Sequence, residues 1–163
     1  MRAFVGVGSN LGDRWAYLRL AARALRAEST VSLLRASRVW DTAPVGPPQP
    51  RYLNAALELE TRLSAPALHA VLQRIEAEAG RRRGVLRWAA RTLDVDLLLY
   101  GSEVIRRPGL VVPHPGLVSR RFVLAPLAEL GPERVVPSTG QTVVQLLAGA
   151  PPADVRVVGL YPG

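Results

Sequence analysis

The chain has 163 residues, 48% of them apolar, enough to bury one core and too many for a disordered tail. Its formal charge is +8 and all 21 basic residues are arginine, which excludes a Walker-type phosphate lysine and Schiff-base chemistry and leaves anion recognition to guanidinium groups. There is no cysteine, which excludes disulfides, thiolate metal sites and a cysteine nucleophile and fits a reducing compartment. The positive excess predicts an anionic partner, although a GC-rich coding sequence would also raise arginine, alanine and proline together.

Residues 3–7 (Ala-Phe-Val-Gly-Val) read as a first strand. This apolar run is too short for a signal peptide or a membrane span, so a soluble cytoplasmic protein is expected. Gly8-Ser9-Asn10-Leu11-Gly12-Asp13 reads as a turn with a helix cap, and Trp15, Leu18, Ala22 and Leu25 recur at helical spacing over 14–27. The turn lacks the Walker lysine and the dinucleotide glycine spacing, so it is read as a turn near a substrate pocket. One strand is expected over 31–40. A rigid loop then carries Pro44, Pro47, Pro48 and Pro50, and an alternating strand follows over 53–63. Pro66 fits a first helical position, and Leu68, Leu72, Ile75 and Ala79 mark a second helix that stops at Gly80. An arginine-rich loop leads into a fourth strand over 92–100. The order β-α-β-β-α-β matches the ferredoxin-like split motif, an α+β fold with additional C-terminal helices and short strands. A short strand over 103–105, a helix over 117–129 interrupted near Pro126, and a helix over 142–147 complete the reading. No repeat or linker divides residues 1–163, so one domain is expected.

The stretch Arg87-Trp88-Ala89-Ala90-Arg91-Thr92-Leu93-Asp94-Val95-Asp96 carries the strongest chemical signal. In a strand, Asp94 and Asp96 point to one face, about 7 Å apart along the backbone, and Val95 points to the other. Two such carboxylates repel each other. A divalent cation resolves the repulsion, and Mg²⁺ takes one or two carboxylates plus phosphate oxygens; pairing with nearby arginines is the structural alternative. Arg81, Arg82, Arg83, Arg87 and Arg91 suit phosphate recognition through forked hydrogen bonds, or else form a solvated basic face. Acids for a metal beside bases for phosphate suggest phosphoryl-group chemistry. Asn54 is unusual within a strand: it marks an edge or bulge, or an amide that complements a heterocycle's donors and acceptors. Tyr52 and Phe122 suit core packing or stacking. His114, between two prolines, suits a single backbone hydrogen bond or a phosphate contact.

Four motifs together carry a family resemblance: Gly8-Ser9-Asn10-Leu11-Gly12, Thr42-Ala43-Pro44-Val45-Gly46-Pro47 with Tyr52-Leu53-Asn54-Ala55-Ala56, Arg87 through Asp96, and Val112-Pro113-His114-Pro115. The chain resembles the 6-hydroxymethyl-7,8-dihydropterin pyrophosphokinase family over nearly its whole length. The resemblance implies a ferredoxin-like core and transfer of pyrophosphate from ATP to the pterin's hydroxymethyl oxygen, with two Mg²⁺ ions bound with ATP. It implies Asp94 and Asp96 as metal ligands, and Arg81 and Arg91 beside them in catalysis. Asn54 would hydrogen-bond the pterin between Tyr52 and Phe122, Thr42 and Val45 would offer backbone contacts, and Trp88 would seal the substrate. Gln73, Glu76, Arg83, Arg87, Leu97, His114 and Arg120 would lie at the nucleotide. The chain departs from the family pattern at Ala43, Ala90, Gly109, Val111 and Pro115, which touches adenine and ribose recognition more than pterin recognition.

The implied partners are ATP and the reduced pterin, with no nucleic acid, no membrane and a monomeric enzyme. No side chain is marked as a general base. The arginine loop 81–91, with Gly80 and Gly84 near its start, is expected to stay open in the free protein and order over both substrates. A nucleic-acid-binding module shares this topology and a high pI, but the middle strands lack stacking aromatics and the fourth strand carries acids that repel a phosphate backbone. A nucleotidyltransferase using the same carboxylates is the other alternative; it would release pyrophosphate instead of AMP.

Overall fold

A computed structural model describes residues 1–80 and 92–163. The expected elements form close to their expected places: β1 (Arg2–Ser9), α1 (Arg14–Ala27), β2 (Val31–Ala36), β3 (Val39–Thr42), β4 (Tyr52–Thr61), α2 (Ala65–Glu78) and β5 (Asp94–Tyr100). Then follow β6 (Ile105–Arg107), β7 (Leu110–Val112), α3 (Arg121–Leu130), β8 (Val135–Val136), β9 (Gln141–Thr142), α4 (Val143–Gly149) and β10 (Val155–Gly159). Asp13 caps α1 by accepting the Ala16 N–H at 3.1 Å, Ser64 caps α2 through the Ala67 N–H, and Thr142 with Gln145 forms a capping box on α4.

Among the described residues, the main sheet is antiparallel, in the order β10-β3-β4-β1-β5, with β2 also paired to β4. Alternation along the strands divides the core in two. Val5, Val7, Leu53, Leu57, Val95 and Leu97 pack against Leu18 and Leu25 of α1 and Leu68, Leu72 and Ile75 of α2. Phe4, Ala56 and Leu98, on the opposite face, pack against Leu124, Leu127 and Leu130 of α3 and against α4. The second layer covers only part of its face. Where it ends, Gly6, Gly8, Asn54, Asp94 and Asp96 line an open cleft.

Several boundaries differ from expectation, each for a local reason. The strand over 31–40 divides at Ser37, whose N–H bonds the Ala56 carbonyl while its hydroxyl accepts the Ala56 N–H, both at 2.8 Å; a side chain there replaces a ladder carbonyl. Gly8 and Ser9 belong to β1 and not to the turn. Pro66 is the second helical residue, behind the Ser64 cap and Ala65. The third helix starts at Arg121 and runs through Pro126 without interruption, because Leu124, Pro126, Leu127 and Leu130 are all buried and packing outweighs one lost hydrogen bond. The short strand expected over 103–105 forms over Ile105–Arg107. The last strand, β10, has no counterpart in the sequence reading. It is the outer partner of β3, tied down by Arg51, which bridges Asp41 and Asp154.

Candidate active site

The cleft holds about 390 Å³ and is walled by β1, β3, β4, β5, the proline-rich loop, and the segment from His114 to the first turn of α3. Its floor is the part of β1 with no side chains on that face, Gly6 and Gly8. Glycine weakens a strand interior unless something must approach the backbone, and at Gly8 something does. An added Cβ would lie 2.5 Å from Asn54 Oδ1 and 3.5 Å from the Tyr52 ring. Register places Gly8 opposite Asn54 on β4 and opposite Asp94 on β5. Asn54, Gly8 and Asp94 therefore form a row across three strands, with about 10 Å between the outer two backbones. Asp96 follows one step along, opposite Gly6.

Asn54 lies on a central strand, not an edge. Its Nδ2 donates to Thr42 Oγ1 at 2.8 Å, and Thr42 is only 1% exposed, so the amide is held in place from below. Tyr52 and Phe122 both line the cleft and are half-buried, so neither is a core side chain. Thr42 and Val45 also line it. Asn10, nearly fully buried, donates to Gln49 Oε1 at 2.8 Å and to the Pro50 carbonyl at 3.0 Å, which fastens the proline-rich loop to the end of β1. The turn at residues 10–13 thus shapes the pocket through the loop it fastens.

His114 makes the backbone hydrogen bond expected of it and also faces the cleft. Its Nδ1 accepts the Gly116 N–H at 3.0 Å, which leaves the proton of the neutral ring on Nε2. Burial, then the charge of Arg120, holds its pKa below the ordinary histidine value, with Asp94 opposing. Arg120 lines the same wall. The cleft therefore sets two carboxylates on one strand facing a neutral imidazole and a guanidinium.

Three expected nucleotide positions do not line the cleft. Leu97 points into the core against α2, Gln73 is half-buried on α2, and the buried Glu76 accepts the Val95 N–H through Oε2 at 3.1 Å. Arg81, Arg83, Arg87, Trp88 and Arg91 lie outside the described residues. The sequence reading missed Gly6, Gln49 and Val123 as lining residues, and it put Gly8 in a turn near the pocket where the structure has it on the strand that floors it. The i, i+2 glycines of a strand were a usable signal; Gln49 had none, because a proline-rich loop has no periodicity to place it.

The donor set can be weighed against a metal ion. Asp94 and Asp96 offer hard oxygen donors at a solvent-reachable strand mouth, and the described residues contain no group of three or more His, Cys, Asp or Glu placed to hold an ion. Two carboxylates without a closed cage fit Mg²⁺, which keeps waters and takes phosphate oxygens for its other positions.

Known proteins resemble this chain in sequence and in fold. Residues 4–132 match the family model for 7,8-dihydro-6-hydroxymethylpterin-pyrophosphokinase. The chain is 45% identical over 129 residues to the 2-amino-4-hydroxy-6-hydroxymethyldihydropteridine pyrophosphokinase of Bacillus subtilis, covering 78% of this chain and 77% of that protein. It is 39% identical over 161 residues to the enzyme of the same name from Haemophilus influenzae, covering 98% of each. In fold it resembles the Plasmodium falciparum HPPK-DHPS triple mutant with STZ-DHP, with a TM-score of 0.72 at 11% identity over 91% of this chain and 43% of that one.

Proposed function

The chain belongs to the 7,8-dihydro-6-hydroxymethylpterin-pyrophosphokinase family, and from that premise we infer that it is an ATP-dependent 2-amino-4-hydroxy-6-hydroxymethyldihydropteridine pyrophosphokinase of folate biosynthesis. The pterin's hydroxymethyl oxygen bonds to the β-phosphorus of ATP. The bond from that phosphorus to the oxygen bridging it to the α-phosphate breaks, AMP leaves, and the hydroxyl proton is released. Such a transfer depends on positioning and charge neutralisation more than on covalent help.

The observation that carries the residue-level reading is the row Asn54–Gly8–Asp94. In this reading the Asn54 amide pairs with the edge of the pterin, which lies over Gly8 between Tyr52 and Phe122. Thr42 and Val45 contribute backbone contacts. The span from Asn54 to Asp94 brings the substituent of a two-ring heterocycle to the carboxylates. Asp94 and Asp96 would hold Mg²⁺, two ions bound with ATP in this proposal, which would supply neutralisation of phosphate charge at that point. His114, through Nε2–H, and Arg120 donate to phosphate oxygens. Gln73 is assigned to the nucleotide side, Arg81, Arg83, Arg87 and Arg91 to the phosphates, and Trp88 to the substrate, all on the family resemblance. Glu76 and Leu97, which the resemblance also puts at the nucleotide, are buried on the core side of β5 and reach it only through that strand. The strand order β5-β1-β4-β3 with α1 and α2 on one face supports a ferredoxin-like core. Residues 1–163 are read as one domain of a monomeric cytoplasmic enzyme; no helix among the described residues is long and apolar enough to cross a membrane.

Incubation with ATP, Mg²⁺ and the reduced pterin, with products resolved by mass, tests the reading. AMP and a pterin diphosphate are expected. Pyrophosphate with a nucleotidylated pterin would make the protein a nucleotidyltransferase instead.

A further inference from the structure

The cleft does not account for Glu76. A carboxylate only 6% exposed on an otherwise apolar helix face, among Leu68, Leu72 and Ile75, is costly unless its position serves something. Its Oε2 accepts the N–H of Val95, the residue between Asp94 and Asp96. Among the described residues, β5 is the last strand of the sheet and pairs with β1 alone. In an antiparallel ladder, alternate residues turn their N–H groups toward the neighbour and away from it. The Val95 N–H is turned to the open side, where Glu76 stands in for the absent strand. A second bond acts beside it: Thr92 Oγ1 donates to the carbonyl of Ala79, at the end of α2, at 2.7 Å. Between the two, Leu93 is fully buried. The start of β5 is thus clamped to the last turn of α2.

We propose that Glu76 is a positioning residue that fixes the β5 backbone at Val95 and so sets the direction of the Asp94 and Asp96 carboxylates. The need follows from where the acids sit, at the first and third residues of an edge strand, where fraying is easiest. A carboxylate clamped to the intervening N–H holds the pair facing the cleft before any cation arrives. The proposal rests on the reading of Asp94 and Asp96 as the cation-holding pair. It differs from a nucleotide contact by Glu76, because it acts through the strand and not through the ligand.

The test uses the full chain with Glu76→Gln, which keeps a carbonyl acceptor, and with Glu76→Ala and Glu76→Met, which remove it; methionine keeps the volume if alanine prevents folding. Amide hydrogen exchange at Val95 is read by NMR without ligands. Mg²⁺ affinity is read by calorimetry in the presence of a non-hydrolysable ATP analogue, and pterin affinity separately. In the variants without an acceptor, Val95 should exchange faster while Val5 and Leu57 stay protected. Mg²⁺ affinity should fall about tenfold to a hundredfold, as for loss of an outer-shell support, with pterin affinity unchanged. Glu76→Gln should restore most of both. Unchanged Val95 exchange in Glu76→Met would overturn the proposal, as would fast exchange with normal Mg²⁺ affinity. A Gln variant as impaired as Met with Val95 still protected would also overturn it, and would assign Glu76 to the nucleotide. Asp94→Ala in the same titration separates the two levels: if it leaves Mg²⁺ affinity unchanged, the underlying reading of the acid pair has failed.

Discussion

Gly8 is the residue on which the two halves of the site meet. A methyl group there would press on Asn54 Oδ1, the movable end of a side chain, so the backbone can survive the change while the amide cannot keep its place. Gly8→Ala should therefore reproduce Asn54→Ala: pterin affinity falls about tenfold to a hundredfold, the equivalent of about 1–3 kcal/mol for a hydrogen bond lost inside a polar site, and ATP affinity holds. Calorimetry with each ligand checks this, and an equal loss for both ligands would mean a folding defect. Asp94→Ala and Asp96→Ala should each abolish turnover while the fold, read by circular dichroism, is retained. Near-normal activity at ordinary Mg²⁺ in either variant would remove the metal assignment. The expectation that Asp94 and Asp96 share a face holds in the fold, for both line the cleft while Val95 is buried against α2; it was legible because a strand alternates with period 2.

At the scale of elements, the seam between α3 and β3 decides whether the cleft keeps its shape. Glu129, near the end of α3, accepts the Trp40 indole N–H at 2.6 Å and both the backbone N–H and the Nε–H of Arg38. Trp40 pairs with Asn54 across β3 and β4, so this carboxylate supports the strand beside the Asn54 wall of the cleft. Hydrogen bonds to a charged group contribute about 1.5–3 kcal/mol. Glu129→Ala should lower stability by about 2–3 kcal/mol in denaturant titrations, lower the melting temperature, and red-shift Trp40 emission once Trp15 and Trp88 are replaced by phenylalanine. A variant with unchanged stability and emission would show that α3 is held by its apolar face alone. Nothing in the sequence announced this seam: it joins residues 89 to 91 positions apart, and long-range polar pairs leave no periodic trace.

For the whole molecule, the absence of lysine makes alkaline stability a clean readout. Tyr100 donates to the Leu63 carbonyl and Tyr161 to the Leu18 carbonyl, each at 2.5 Å. Burial raises both phenol pKa values, with Glu103 adding to the rise at Tyr100 and Arg26 opposing it at Tyr161. A raised folded pKa favours the neutral phenol. The stability it contributes is complete below the unfolded value of about 10 and is lost as pH climbs above it. Stability should therefore be flat from about pH 8 to 9.5 and fall above about 10, by at most about 1.4 kcal/mol per pH unit for each tyrosine. Tyr161→Phe and Tyr100→Phe should each flatten that fall. Denaturant titrations across pH 8–11 measure it, and a slope unchanged in the double variant would place the alkaline loss elsewhere.

What the sequence determined by itself is everything carried by short-range pattern. The helical spacing of α1 and α2, the alternation of β4, the caps at Asp13 and Ser64 and the shared face of Asp94 and Asp96 are set within a few residues. Together with the motifs of residues 42–56 and 87–96 they were enough to indicate the family. The tertiary structure decided what depends on which strands become neighbours. Only the register of β4, β1 and β5 makes Gly8 the floor between Asn54 and Asp94. Only the edge position of β5 gives Glu76 an N–H to hold. Only the partial cover of α3 leaves that face open as a cleft. The division follows from the forces involved: backbone sterics and side-chain periodicity act along the chain, whereas packing and cross-strand pairing join residues far apart in sequence.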